Sequence, residues 1–169
     1  MKEASCAGSP VQGCSARPAG ILAGCALSPP PAAPIPGLDD PRTAFVCPQP
    51  TVGPLPVWAR TGFTPSDQPV AHLVSVEGHI VAVPFGWPLR SRQPKDRSNK
   101  VLWVADRDEG GPMTIDARRE SDAEPLHREL PEGPGPSIVD LPAQGCWRLD
   151  LAWPGGRDRI YLAYLGPMA

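Results

Sequence analysis

LPAQGCWRLDLAWPGGRDRIYLAYL, residues Leu141 to Leu165, is the stretch on which the fold turns. Within it Cys146–Trp153 and Arg159–Leu165 read as two strands joined by Pro154-Gly155-Gly156, residues that reverse a chain readily. Successive side chains of a strand point to opposite faces. Trp147, Leu149, Leu151 and Trp153 therefore share one face, and Cys146, Arg148, Asp150 and Ala152 the other. The first set is wholly apolar and belongs in a core.

The same signature repeats upstream. His72–Val76 and His79–Val83 flank Glu77-Gly78, a hairpin-like arrangement with β-branched residues on both sides. Lys100–Ala105 and Met113–Ala117 are strand-like and read as a second hairpin around the charged turn Asp106–Gly111, with Trp103 assigned to the core. Ser137–Leu141 is a further short strand bounded by prolines. No 3.6-residue periodicity interrupts this series. Twenty-five of the 169 residues are proline, against roughly 5% in ordinary proteins, and proline neither continues a helix nor donates to a ladder. An apolar share of 41% is nevertheless that of a folded chain. The fold class is all-β: an immunoglobulin-like antiparallel β-sandwich over residues 44–169, preceded by a disordered proline-rich segment. The Gly145-Cys146-Trp147 entry after a proline-marked turn looks like the corner before the penultimate strand of immunoglobulin-like domains, with tryptophan where those usually carry tyrosine.

The N-terminal third poses a different question. Leu22-Ala23-Gly24-Cys25 matches the lipobox of bacterial lipoproteins, which implies a signal segment at 1–24, cleavage before Cys25 and a lipid on its sulfur. Lys2 and Arg17 supply upstream positive charge. The apolar stretch Pro18–Gly24 is at the short end of the roughly 7–15 residues of a signal core, so a chance cysteine in a loose N-terminus is the alternative. Residues 25–43 include SPPPAAPIPGLDDP, which should be extended and semi-rigid. Such a run works as a spacer behind an anchor, or else is an idle tail. No apolar run approaches the roughly 18 residues of a spanning helix.

Five cysteines are present: Cys6, Cys14, Cys25, Cys47 and Cys146, with no C-x-x-C pair. Cleavage before Cys25 would remove two and acylation would occupy a third. Cys47 and Cys146 would remain as one bridge in an oxidising compartment. Closing a loop of that length stabilises by up to roughly 4–5 kcal/mol on the chain-entropy model.

The segment KVLWVADRDEGGPMTIDARRE…PSIVDLPAQGCWRLDLAW, Lys100 to Trp153, resembles an uncharacterised group of secreted and lipoprotein domains from actinobacteria and related bacteria. That group has a tryptophan-containing strand, a PLTI-x-GRR-like strand and a GCW-x-L motif. GCW is the most specific element; Ala117 departs from the group's glycine before Arg118-Arg119. Cys47–Phe63 and the His72–Val83 hairpin are less alike. The resemblance implies a secreted β-sandwich and brings no catalytic residues.

The chemistry of turnover finds little to stand on. There is no G-x-S-x-G, no H-E-x-x-H and no glycine-rich phosphate loop. His72 and His79 facing one another across their hairpin would suggest a shared metal, but ordinary strand histidines are the simpler reading. Cys146 lacks the following histidine and methionine of a blue-copper site. Asp106–Gly111 lacks the longer ligand run of a calcium loop. Neither metal nor cofactor is expected. Arg90–Lys100 (RSRQPKDRSNK) carries five basic residues and one acid. It lacks the interleaved aromatics of a nucleic-acid surface, and the chain's net charge of −2 gives no general pull toward one. A long solvated loop is the simpler reading; if it binds anything, an anionic envelope polymer or an acidic partner face suits it. Phe85 and Trp87 in Pro84-Phe85-Gly86-Trp87-Pro88 read first as caps on the open end of the sandwich; the alternative is a binding loop, because rigid aromatics anchor ligands.

The sequence thus describes a non-enzymatic, extracytoplasmic lipoprotein that contacts the membrane only through its anchor and binds an unidentified envelope protein or polymer. The alternatives are an untethered secreted domain with an unlocated hydrolytic activity, and a cytoplasmic structural domain. Placing Trp147 at the heart of the core predicts that Trp147→Ala costs about 3–5 kcal/mol in denaturant unfolding; a loss under about 1 kcal/mol would put this side chain at the surface.

Overall fold

The computed structural model describes residues 45–167, Ala123 excepted. The signal segment at 1–24 with Cys6 and Cys14, the lipidation site Cys25 and the spacer to residue 43 lie outside the described residues. In chain order the strands are β1 (Thr51–Gly53), β2 (Val70–Val74), β3 (Ile80–Pro84), β4 (Leu89–Arg90), β5 (Lys100–Ala105), β6 (Met113–Arg119), β7 (Leu126–Leu130), β8 (Pro136–Ile138), β9 (Gly145–Trp153) and β10 (Gly156–Leu165). A single 3-10 turn, Val57–Ala59, follows β1. No helix among the described residues is long and apolar enough to cross a membrane.

Two five-stranded sheets face one another, ordered β1-β2-β3-β5-β8 and β4-β10-β9-β6-β7. Every neighbouring pair is antiparallel except β4 with β10, which is parallel. β5 pairs β8 in one sheet while β6, β9 and β10 lie side by side in the other. This is the immunoglobulin-like connection of strands B and E against C, F and G, with β7 added beside C. β3 and β4 are one strand broken by the Phe85–Pro88 turn, so that its first half joins one sheet and its second half the other.

Packing follows from alternation. Ile80 and Ala82 of β3, Val101 and Trp103 of β5, and Met113, Ile115 and Ala117 of β6 point inward. They meet Trp147, Leu149, Leu151 and Trp153 of β9 and Ile160, Leu162 and Tyr164 of β10 in one buried cluster. Each of its indoles finds an acceptor: Trp103 Nε1 donates to Ser137 Oγ at 2.9 Å, Trp147 Nε1 to Ala143 O at 2.9 Å, and Trp153 Nε1 to Arg107 O at 2.6 Å. The Trp147 bond, reaching four residues back, is the corner that a tyrosine hydroxyl makes in immunoglobulin domains. A second cluster lies outside the first sheet, where Leu55 and Ala59 cover Val81 and Val83. β3 is consequently buried on both faces, which accounts for its unbroken apolar run.

β5 and β6 do not form a hairpin. Asp106–Gly111 instead carries the chain from one sheet to the other, because β3 and β8 take both edges of β5 while β9 and β7 take both edges of β6. The crossover is seated on the β9–β10 turn. A Cβ at Gly155 would come within 2.2 Å of Arg107 O, so only glycine permits the approach that also delivers this carbonyl to the Trp153 indole. The first hairpin is present, with its turn widened to Ser75–His79 and its strands shifted to β2 and β3. The expected strand at Ser137–Leu141 is shorter and earlier, since Val139 and Leu141 turn into the core.

Cys47 and Cys146 are bonded, with Cα atoms 5.5 Å apart across 99 positions of sequence. The bridge fastens the entry segment to the start of β9. Beside it Phe45 stacks edge-on against Tyr161 at 5.7 Å between centroids, under the Arg148 guanidinium.

Tyr164 generates a pH prediction. Its hydroxyl donates to Val139 O at 2.5 Å, and burial, aided by Asp140, pushes its phenol far above the usual value near 10. The folded state therefore holds this proton more tightly than the unfolded chain. The stabilisation is complete below about pH 10 and is lost as pH rises further. The melting temperature should fall above about pH 10 and Tyr164→Phe should flatten that fall, at a cost of roughly 1 kcal/mol at neutral pH. An alkaline slope identical in the two proteins would assign the effect elsewhere.

Candidate interaction surface

The strand break in Phe85–Pro88, the basic loop 91–99 and the end of β8 converge on one end of the sandwich. Phe85 N–H donates to Lys100 O at 2.9 Å, extending the β3–β5 ladder by one step. Lys100 in turn pairs with Ile138 of β8. Phe85, Lys100 and Ile138 thus stand in a row across three strands on the outer face. Phe85 and Ile138 are each 61% exposed. The Lys100 ammonium lies 4.9 Å from the centre of the Phe85 ring, a cation–π contact of about 0.5–1 kcal/mol at such a site.

Trp87 behaves differently from Phe85. It is half-buried and packs against the main core cluster. Gly86 between them lets the chain turn, and the cis Trp87–Pro88 bond directs it into β4. The two aromatics that sequence reasoning paired as one loop point to different places: Trp87 closes the core and Phe85 faces solvent.

Asn99, 2% exposed, forms the base of the basic loop. Its Oδ1 accepts from Arg90 N at 2.9 Å and from Gln93 Nε2 at 2.9 Å. Its Nδ2 donates to Arg90 O and to Asp140 Oδ1, both at 2.7 Å. Its own N–H also donates to Asp140 Oδ1, at 3.0 Å. The amide thus ties both ends of the loop to the chain after β8, while Arg92, Lys95, Arg97 and Lys100 remain exposed. Sequence reasoning missed this clamp, because a lone asparagine in a polar run carries no signal of burial.

Elsewhere the three histidines are engaged in structure. His72 Nδ1 donates to Val70 O at 2.8 Å, His79 Nδ1 to Asp106 Oδ2 at 2.8 Å, and His127 Nδ1 to Asp116 Oδ1 at 2.7 Å. His72 and His79 do not share a site: His72 opposes Thr51 on β1, whereas His79 closes the turn before β3. Among the described residues no three metal-ligating side chains cluster. Arg119 grips Asp122 through two nitrogens and stacks on Trp147. The hydrogen bond from Arg119 holds the Asp122 carboxyl below the usual carboxylate range. Beside this pair an open depression of about 350 Å³, lined by Phe45, Glu120, Gln144 and Cys146 among others, borders the disulfide. Ser121 also lines it, its hydroxyl bonded to the Asp122 carboxylate.

No family model, curated protein or solved structure matches the chain.

The clamp predicts that Asn99→Ala leaves the Arg90 backbone and the Asp140 carboxylate without their partner, costing about 2–3 kcal/mol in unfolding free energy. Hydrogen exchange should quicken at Arg90 and its loop while the β9 amides stay protected. Unchanged exchange at Arg90 would show that the loop is held by something other than Asn99.

Proposed function

We propose that this protein is a non-enzymatic interaction module of the cell envelope, tethered through acylated Cys25 and carried on its proline-rich spacer. The observation that supports the reading best is the Cys47–Cys146 bridge. Of five cysteines, cleavage before Cys25 would remove two and acylation would take the third. The two left over are the bonded pair. A bridge between the entry segment and the penultimate strand suits an oxidising compartment, where such bonds persist.

The working surface in this reading is the row Phe85–Lys100–Ile138 with the basic loop beside it. Exposed apolar groups flanking a cation, on a loop braced by a buried amide, suit recognition of an anionic envelope component.

Fractionation of native cells with intact mass spectrometry tests the tether. The expected species is membrane-bound, begins at Cys25, and is heavier by lipid and lighter by two hydrogens for one bridge. Cys25→Ala should make the protein removable from the membrane fraction by a wash at about 1 M salt, which the acylated chain resists. A soluble chain beginning at Met1 with free thiols would overturn both the anchor and the compartment.

A further inference from the structure

We propose that the end of the sandwich bearing Phe85, the basic loop and Ile138 docks directly on an anionic phospholipid surface. The inference rests on the tethered-envelope reading and deepens it by naming the partner.

Polarity is the first argument. β5 separates two loops of opposite charge. Before it, Arg90, Arg92, Lys95, Arg97 and Lys100 stand against Asp96 in the loop and Asp140 beside Asn99, while at the same end of the other sheet Glu120 and Asp122 are matched in number by Arg118 and Arg119; after it, Asp106, Asp108 and Glu109 stand against Arg107. Glu77, in the turn beside Asp106, adds to the acidic end. The chain as a whole has a formal charge of −2, so its attraction to an anionic surface is local and orienting rather than general. Clustered cations within a Debye length of such a surface each add to binding.

Apolar groups decide between a membrane and a soluble polyanion. Phe85 and Ile138, each 61% exposed, flank Lys100 in the same row. A polymer in water gains little from them. A bilayer interface offers apolar depth just beneath its headgroups, where an exposed aromatic beside cations inserts favourably. The Asn99 clamp holds the loop in place, so less order has to be imposed on docking. Reach is no obstacle. Twenty residue steps separate Cys25 from Phe45, up to about 60 Å if extended at ~3.1 Å per residue. β10, the longest strand, is about 33 Å at ~3.3 Å per residue. An anchor at Cys25 can therefore let either end of the sandwich meet the bilayer.

The test uses the full chain carrying Cys25→Ser, which cannot be acylated, so that any binding belongs to the domain itself. Flotation compares vesicles of mixed phosphatidylglycerol and phosphatidylcholine with vesicles of phosphatidylcholine alone. Binding is expected only to the mixed vesicles, and should be lost near 1 M salt, where the Debye length falls to about 3 Å. Arg92→Glu, Lys95→Glu and Arg97→Glu together should weaken it by roughly tenfold or more. Phe85→Ser with Ile138→Ser should weaken it several-fold with the melting temperature held. No flotation, or equal flotation with both vesicle types, overturns the proposal. So does soluble polyphosphate displacing the protein while the Phe85 and Ile138 replacements change nothing, since that describes a polyanion site. The tether is judged separately: an acylated native chain in the membrane fraction, together with an unacylated chain that ignores vesicles, would leave the anchor standing and remove this surface.

Discussion

Asp158, 2% exposed at the start of β10, is a junction at which directed polar bonds from several groups join the two sheets. Its Oδ2 accepts from the Ser75 hydroxyl at 2.5 Å and from His79 N at 2.9 Å. Its Oδ1 accepts from Glu77 N at 3.0 Å and from Arg159 N at 2.6 Å. Val76 N adds a bond to Arg159 O at 2.8 Å. The β2–β3 turn of one sheet is thereby fixed on the first residues of β10 in the other, across some eighty positions of sequence. Apolar packing between sheets is strong but undirected, whereas this carboxylate sets which turn meets which strand. Each donor it satisfies would cost about 1–3 kcal/mol if left buried and unpaired.

From that junction the rest of the architecture is constrained. With β10 held at one end, its last residues lie parallel to β4, and the Phe85–Pro88 break becomes the means by which one strand serves both sheets. Three indoles then close the core at places set by their acceptors. Trp153 lies over the crossover, Trp147 at the corner before β9, and Trp103 against β8. The entry segment adds an outer layer over β3 and is locked to β9 by the disulfide. A chain so rich in proline makes short strands, and these cross-links compensate for the few ladder bonds each provides.

The same constraints distribute the surface. Because β5 runs between the loops that precede and follow it, the cations of 90–100 and the acids of 106–109 are held at opposite ends of the domain. Neither loop moves freely: Asn99 braces the first, and the Trp153 and Gly155 contacts seat the second. The 90–100 loop with Phe85 and Ile138 thus forms a basic, partly apolar patch at one end of the described domain.

Legibility in the sequence followed from how local each signal was. β9 and β10 could be read because strict alternation and Pro154-Gly155-Gly156 define a hairpin within one window. The first hairpin was legible around Glu77-Gly78 for the same reason. β1 and β4 were not, being three and two residues long, and LHREL of β7 shows no alternation to find. The Cys47–Cys146 pair was reachable by counting, whereas the Asn99 clamp and the parting of Phe85 from Trp87 were not. What the sequence by itself determined was the all-β class, the residues of the inner faces and the sole cysteine pair available to the domain, because alternation, turn chemistry and composition act over a few residues or over none. Only the tertiary structure decided that β5 and β6 belong to different sheets, that Asp158 joins those sheets, and that Phe85, Lys100 and Ile138 stand in one row. Those outcomes depend on which strand edges are already occupied and on partners dozens of residues away, and no local pattern encodes them.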